Sequence, residues 1–241
     1  MNARIIRALD KSGLLGAGIR VVGTNALYAY EAMAGVHIDP GLTTTEDVDL
    51  LLDSRSRLAF VASEDVEEAS LLRILQRVDK SFSRSRENFR AVNDEGFLVD
   101  IFKSAGNPPW AAEAARVGND PDDLSAVEIN GLSWHESAPA FASTAIDQRG
   151  GPLRIVTSDP RVFAAHKFWL SKRDDREPVK RSRDLMQARA IAALVAVYMP
   201  HLPFAWEPLR MLPKELVEEV KPLFDVAAAS TNSTSKPTRV A

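Results

Sequence analysis

Thr45-Glu46-Asp47-Val48-Asp49-Leu50-Leu51-Leu52 is the stretch on which the reading of this 241-residue chain turns. Side chains alternate across a strand, so Asp47 and Asp49 share one face while Val48 and Leu50 share the other. The pattern predicts a strand over 47–52 that carries two carboxylates side by side. Like charges held that close repel unless solvent or a cation relieves them. Mg²⁺ takes hard oxygen ligands and keeps several waters, so a carboxylate pair plus substrate phosphates completes its shell. Taken alone, a D-x-D also describes a solvated strand end.

Working back from that strand, Ile19 to Val22 is mostly β-branched and apolar and predicts a strand that Gly23 ends abruptly. Gly23-Thr24-Asn25 then opens a helical stretch. Such a junction presents backbone N–H groups and a positive helix end to an anion, and a glycine lets the backbone come close. Working forward, Phe97-Leu98-Val99-Asp100-Ile101-Phe102 sets one acid inside an apolar strand. A lone carboxylate there is costly unless it is paired or metal-bound. By itself it fits a sheet-edge acid or a salt bridge to a nearby arginine as well as a metal ligand.

The three features together resemble a known family. Val21-Val22-Gly23-Thr24-Asn25-Ala26-Leu27-Tyr28-Ala29-Tyr30-Glu31, followed by Thr44-Thr45-Glu46-Asp47-Val48-Asp49-Leu50-Leu51, is similar to a bacterial nucleotidyltransferase-fold family of the DNA polymerase β-type superfamily. Asp159-Pro160-Arg161, His166-Lys167 and Arg183-Asp184-x-x-Gln187-Ala188 extend the likeness, which spans about 19–195. The chain departs from the superfamily in having Gly-Thr where Gly-Ser or Gly-Gly is usual. Its gap between Gly23 and Asp47 is also longer than in compact members.

The resemblance implies an α+β fold: a polymerase β-like core with a mixed sheet flanked by helices, followed by a helical C-terminal region. It implies metal ligation and catalysis by Asp47, Asp49 and Asp100, with Gly23, Thr24 and Asn25 forming the phosphate-binding turn. The implied cofactor is Mg²⁺, two ions, with Mn²⁺ as a substitute. The implied partner is a nucleoside triphosphate whose nucleoside monophosphate passes to an RNA 3′ end, a protein or a small molecule. A toxin-type role is one version of this. A non-catalytic nucleotide-binding regulatory module with the same fold is the alternative. Between Lys167 and Arg183, seven cations face three acids. Lys167 and Lys180 are the expected phosphate grips, although a solvated helix face has the same composition.

The remaining sequence bounds the answer. A net charge of −3 argues against wholesale coating of nucleic acid, and the lack of cysteine excludes disulfides and thiolate zinc sites. No signal-like or membrane-length apolar run occurs, so a cytoplasmic protein that does not span a membrane is expected. Residues 1–157 are expected to form the core, 158–226 the helical region and 227–241 a disordered tail. Helices are expected over 2–15, 25–33, 65–78, 161–171, 183–199 and 214–221, with a loop over 35–45. Hairpins are expected around Asn93–Gly96 and Asn130–Gly131, with strands at 58–62 and 153–156. Met33 is expected on the inner side of its helix with Ala26, Ala29 and Tyr30. Tyr28, Tyr30 and Phe102 have the ring faces to stack a base but also suit a core. The four histidines show no ligand spacing.

Overall fold

The computed structural model of the protein describes residues 1–53, 70–105, 115–116, 120–231 and 239–240. Helix α1 (Asn2–Lys11) buries Ile5, Ile6 and Leu9, one stripe of an otherwise polar segment. Strand β1 (Ile19–Val22) follows, then a 3₁₀ turn (Gly23–Ala26) and α2 (Leu27–Ala34), which Gly35 closes in the left-handed conformation. The stretch expected as loop contains β2 (His37–Ile38) and the short helix α3 (Pro40–Thr43). Asp39 caps α3 by accepting from the Gly41 amide at 2.7 Å, and Pro40 takes the first position, where a missing N–H does no harm.

Strand β3 (Asp47–Leu52) lies antiparallel to β1. Helix α4 (Leu71–Val78) starts at Ser70, whose hydroxyl accepts from the Arg73 amide. Strands β5 (Arg90–Val92) and β6 (Leu98–Ser104) form the expected hairpin about Asn93–Gly96, and β4 (Ser83–Arg84), which was not expected, pairs antiparallel with β5. With β7 (Ala115–Arg116) and β8 (Ser125–Ile129) they complete a mixed sheet of order β1-β3-β6-β5-β4, in which β8 pairs with the far end of β6. β3 and β8 both run parallel to β6. The expected strand at 58–62 and the first part of the expected 65–78 helix fall outside the described residues.

The hairpin expected at Asn130–Gly131 does not form. Gly131, at φ +86°, instead leads into α5 (Leu132–Ser137). The reason is periodicity: Leu132, His135 and Glu136 are the buried positions, at helical spacing. The hairpin lies further on, between β9 (Ala140–Ile146) and β10 (Pro152–Ser158). Its turn is held by Asp147, which accepts from the amides of Arg149 and Gly151. β10 packs on β1 and α1, and β9 on α2.

Three long helices dominate the described residues after β10. Asp159 caps α6 (Pro160–Ser171) through the Arg161 amide, as the Asp-Pro pair predicts. Helix α7 (Pro178–Tyr198) begins five residues earlier than expected, and α8 (Lys214–Thr231) runs past Pro222 instead of stopping there. A proline inside a helix removes one donor, but Val220 and Phe224 are buried on either side and packing carries the helix through. A core of Tyr30, Phe163, Ile191, Leu194 and Met199 joins these helices to α2. Met33, expected inside, is 46% exposed, since α2 turns its Leu27–Ala29–Tyr30 side inward.

Candidate functional site

The three acids come together on two neighbouring strands. Parallel pairing sets Asp49 directly beside Asp100, and Asp47 lies two residues back on the same face as Asp49. On the other flank β1 sets Val22 opposite Asp49, so the glycine that follows meets the carboxylate. Gly23 has φ +61°, and a Cβ there would stand 2.0 Å from Asp49 Oδ2. The turn therefore requires glycine twice over, once for its backbone and once for the carboxylate packed against it.

This crowding shows in the chemistry of Asp49. Burial first, then the Asp47 and Asp100 charges, push its carboxyl up to about 7, while Lys167 and Arg176 pull the other way. Asp47 accepts a hydrogen bond from the Thr45 hydroxyl. Asp100 is buried and paired at both oxygens: Arg90 donates Nε–H to Oδ1 and Nη2–H to Oδ2, each at 2.7 Å. Arg90 stands opposite Asp100 in the β5–β6 ladder. Among the described residues, as placed, no group of three acids or histidines is arranged to hold a metal ion. The Asp47–Asp49 pair is the part that suits a hard cation with substrate oxygens, and Asp100 joins it only where Arg90 shares its carboxylate.

The expected phosphate turn is supported from behind by α7. Gln187 Nε2 donates to the Leu42 carbonyl at 2.9 Å and to Thr24 Oγ1 at 3.4 Å. Thr24 thus receives a bond and keeps its own hydrogen to donate. Gln187 Oε1 is buried beside it without a partner among the described residues. Arg183 donates to the Thr44 carbonyl, tying the segment before β3 to the same helix. Asn25 works inward: its Nδ2 donates to the Asp47 carbonyl and its Oδ1 accepts from Asn2 Nδ2, both at 2.7 Å.

The cations divide. Lys167 is buried and donates to Asp184 Oδ1 at 2.8 Å, and Arg176 donates to Asp184 Oδ2 at 2.9 Å. Both charges reach Asp49. Lys180, the other expected grip, is exposed on the first turn of α7 with Glu177 at 3.2 Å. Arg90, Arg176, Asp184 and Gln187 are site residues to which the sequence reading gave no separate role. The register of the β5–β6 hairpin was the available signal for Arg90, because it sets residue 90 opposite residue 100.

Behind Lys167 sits a buried imidazole pair. His135 Nδ1 is 2.6 Å from Ser158 Oγ and its Nε2 is 2.9 Å from His166 Nδ1. Burial lowers both histidines, His135 to about 3, and Lys167 adds to the effect. They stay neutral and act as packing with directed hydrogen bonds. Tyr30 is fully buried and bonded to the Ser158 carbonyl, so it is core.

A family model described as nucleotidyltransferase matches residues 1–209. The chain belongs to this nucleotidyltransferase family. No curated protein and no solved structure matches it significantly. Membership supports nucleotidyl transfer as the general activity and a nucleotide as substrate, and the mixed sheet with its helical C-terminal region agrees with the fold expected from the sequence. Among the described residues of this nucleotidyltransferase, no helix is long and apolar enough to cross a membrane.

Proposed function

We propose that the protein transfers a nucleoside monophosphate from a nucleoside triphosphate to an acceptor hydroxyl, with Asp47 and Asp49 holding Mg²⁺ or Mn²⁺. The observation that carries this reading is Gly23 at positive φ packed against Asp49, which sets a turn of backbone N–H groups beside a carboxylate pair. The bound metal would neutralise phosphate charge and make the acceptor hydroxyl easier to ionise. The chain's own residues do the rest. The Gly23–Thr24 turn and Lys167 take the triphosphate, the turn through its N–H groups and hydroxyl, Lys167 through its charge. Asp100, once released from Arg90, would accept the hydroxyl proton. Positioning and fixed charge would carry the acceleration, with no covalent intermediate.

The test is transfer of label from α-³²P-labelled nucleoside triphosphates, one base at a time, into total cell extract with Mg²⁺ or Mn²⁺. Label should enter RNA, protein or a small molecule with the wild type and not with Asp47→Ala/Asp49→Ala. Growth arrest on expression, relieved by Asp47→Ala, is the expected sign of a toxin-type role. The Arg90 clasp on Asp100 favours a second reading, a non-catalytic nucleotide-binding module. Metal-dependent nucleotide binding with no transfer of any nucleotide would establish that reading instead.

A further inference from the structure

A cavity of about 510 Å³ opens beside Asp47, between α1, the first turn of α2 and the tip of the β9–β10 hairpin. Asn25 and Thr45 line it, and both hydrogen-bond Asp47 from the cavity side, one at its carbonyl and one at its carboxylate. The Tyr28 ring also lines it, fixed in place by a hydroxyl bond to the Thr43 carbonyl at 3.1 Å. Three arginines rim it: Arg4 and Arg7, one turn apart on α1, and Arg149 at the hairpin tip. Arg7 is committed to Asp147 at 2.7 Å, and Arg4 donates to the Val78 carbonyl. The Arg149 side chain is exposed and unpaired among the described residues, although its amide helps close the hairpin turn.

Resting on the transfer reading above, we infer that this cavity is the acceptor subsite and that it takes the 3′-terminal nucleotide of an RNA strand, with its 3′ hydroxyl free. The two aspartates are flanked differently. Asp49 faces the Gly23 turn, Lys167 and Arg176, which is where a triphosphate belongs. Asn25 and Thr45, the two residues bonded to Asp47, open instead onto the cavity rimmed by Arg4, Arg7 and Arg149. A volume of this size suits a nucleotide-sized group. A half-buried tyrosine offers a stacking face that every base can use. An unpaired guanidinium at the mouth supplies the bidentate donor a backbone phosphate prefers. A terminal nucleotide seated on Tyr28, with its 5′ phosphate at Arg149, would present its hydroxyl toward Asp47.

The experiment is fluorescence-anisotropy binding of a 5′-labelled short oligoribonucleotide, with Mg²⁺-dependent nucleoside triphosphate binding and label transfer measured on the same samples. Arg149→Ala should weaken oligoribonucleotide binding about tenfold, the worth of one charge-assisted hydrogen bond. It should leave triphosphate binding unchanged, and Arg149→Lys should restore part of the loss. Ala3→Trp, which fills the cavity without removing a charge, should give the same selective loss. Equal weakening of triphosphate and oligoribonucleotide binding would assign the cavity to the donor nucleotide and overturn the inference. Unchanged oligoribonucleotide binding in both variants, or none by the wild type, would also overturn it. Label transfer to a protein or small molecule, untouched by these substitutions, would overturn the subsite while leaving the transfer reading intact. Selective loss of oligoribonucleotide binding without any transfer would support the subsite and overturn the transfer reading.

Discussion

Replacing Gly23 by alanine separates two costs that the site imposes on one residue. The first is conformational: at φ +61° an L residue costs about 1–2 kcal/mol. The second is steric, because the new Cβ would stand 2.0 Å from Asp49 Oδ2 and 2.9 Å from its Cγ, so the carboxylate or the turn has to move. Overpacking of this kind adds about 1–3 kcal/mol. Gly35 is the natural control, with φ +68° and nothing within 4 Å of its Cβ. Gly35→Ala should therefore lose only the conformational part, a drop in Tm of about 2–8 °C for a chain this size. Gly23→Ala should lose clearly more. Its transfer activity should fall by about a hundredfold, as for an ångström-scale misplacement of a positioned group. Thermal unfolding and the label-transfer assay read the two effects on the same samples. Equal midpoints for the two variants, with wild-type transfer from Gly23→Ala, would refute the claim that the turn is built around Asp49.

Other perturbations follow from the same geometry. The unfolded chain loses the Asp49 proton near pH 4, whereas the folded chain keeps it to about pH 7. The folded state then binds more protons in that window, so Asp49 makes stability fall as pH rises from 4 to 7 and adds no slope above. Asp49→Asn should flatten this slope in unfolding curves recorded with a chelator. His135 acts in the opposite sense, since its folded value is depressed to about 3. Stability should fall as pH drops below about 6.5, where the unfolded histidine takes up a proton, and His135→Gln should reduce that acid loss. Arg90→Ala strands a buried carboxylate and should cost about 1–3 kcal/mol in denaturant unfolding. Asp184→Ala leaves the buried Lys167 unpaired and should cost about 3–5 kcal/mol.

Much of the sheet was legible because its signals are local. Ile19–Val22 and Asp47–Leu52 have the bounds the pattern predicts, and the Asn93–Gly96 turn joins the strands it should. The errors share a cause: tertiary partners overrode local composition. The glycine- and threonine-rich segment before β3 folds into β2 and α3 because Asp39 supplies a cap. Asn130–Gly131 reads as a hairpin turn, but β8 already has its partner in β6 and the chain leaves the sheet as a helix. In the site, the period-two spacing of Asp47 and Asp49 put them on one face without further information. The bond between Arg90 and Asp100 needs the register of a hairpin, and the bonds from Gln187 to Thr24 and Leu42 cross more than a hundred residues. No local pattern carries contacts of that range.

The polar joints of α7 bear on how this protein can be taken apart. Arg183 holds the Thr44 carbonyl, Asp184 holds Lys167 and Arg176, and Gln187 holds Thr24 and Leu42. Three residues of one helix thus grip both sides of the carboxylate pair. A graft that exchanged the C-terminal helices for those of another protein would unseat the turn unless Arg183, Asp184 and Gln187 travelled together with the 42–45 segment. A circular permutant opened between Ser171 and Arg173 would keep Arg176 on the same side of the cut as Asp184 and leave these joints in place. For anyone rebuilding this enzyme, the practical unit is the clasp, and a cut at residue 157 would leave half of it on each piece.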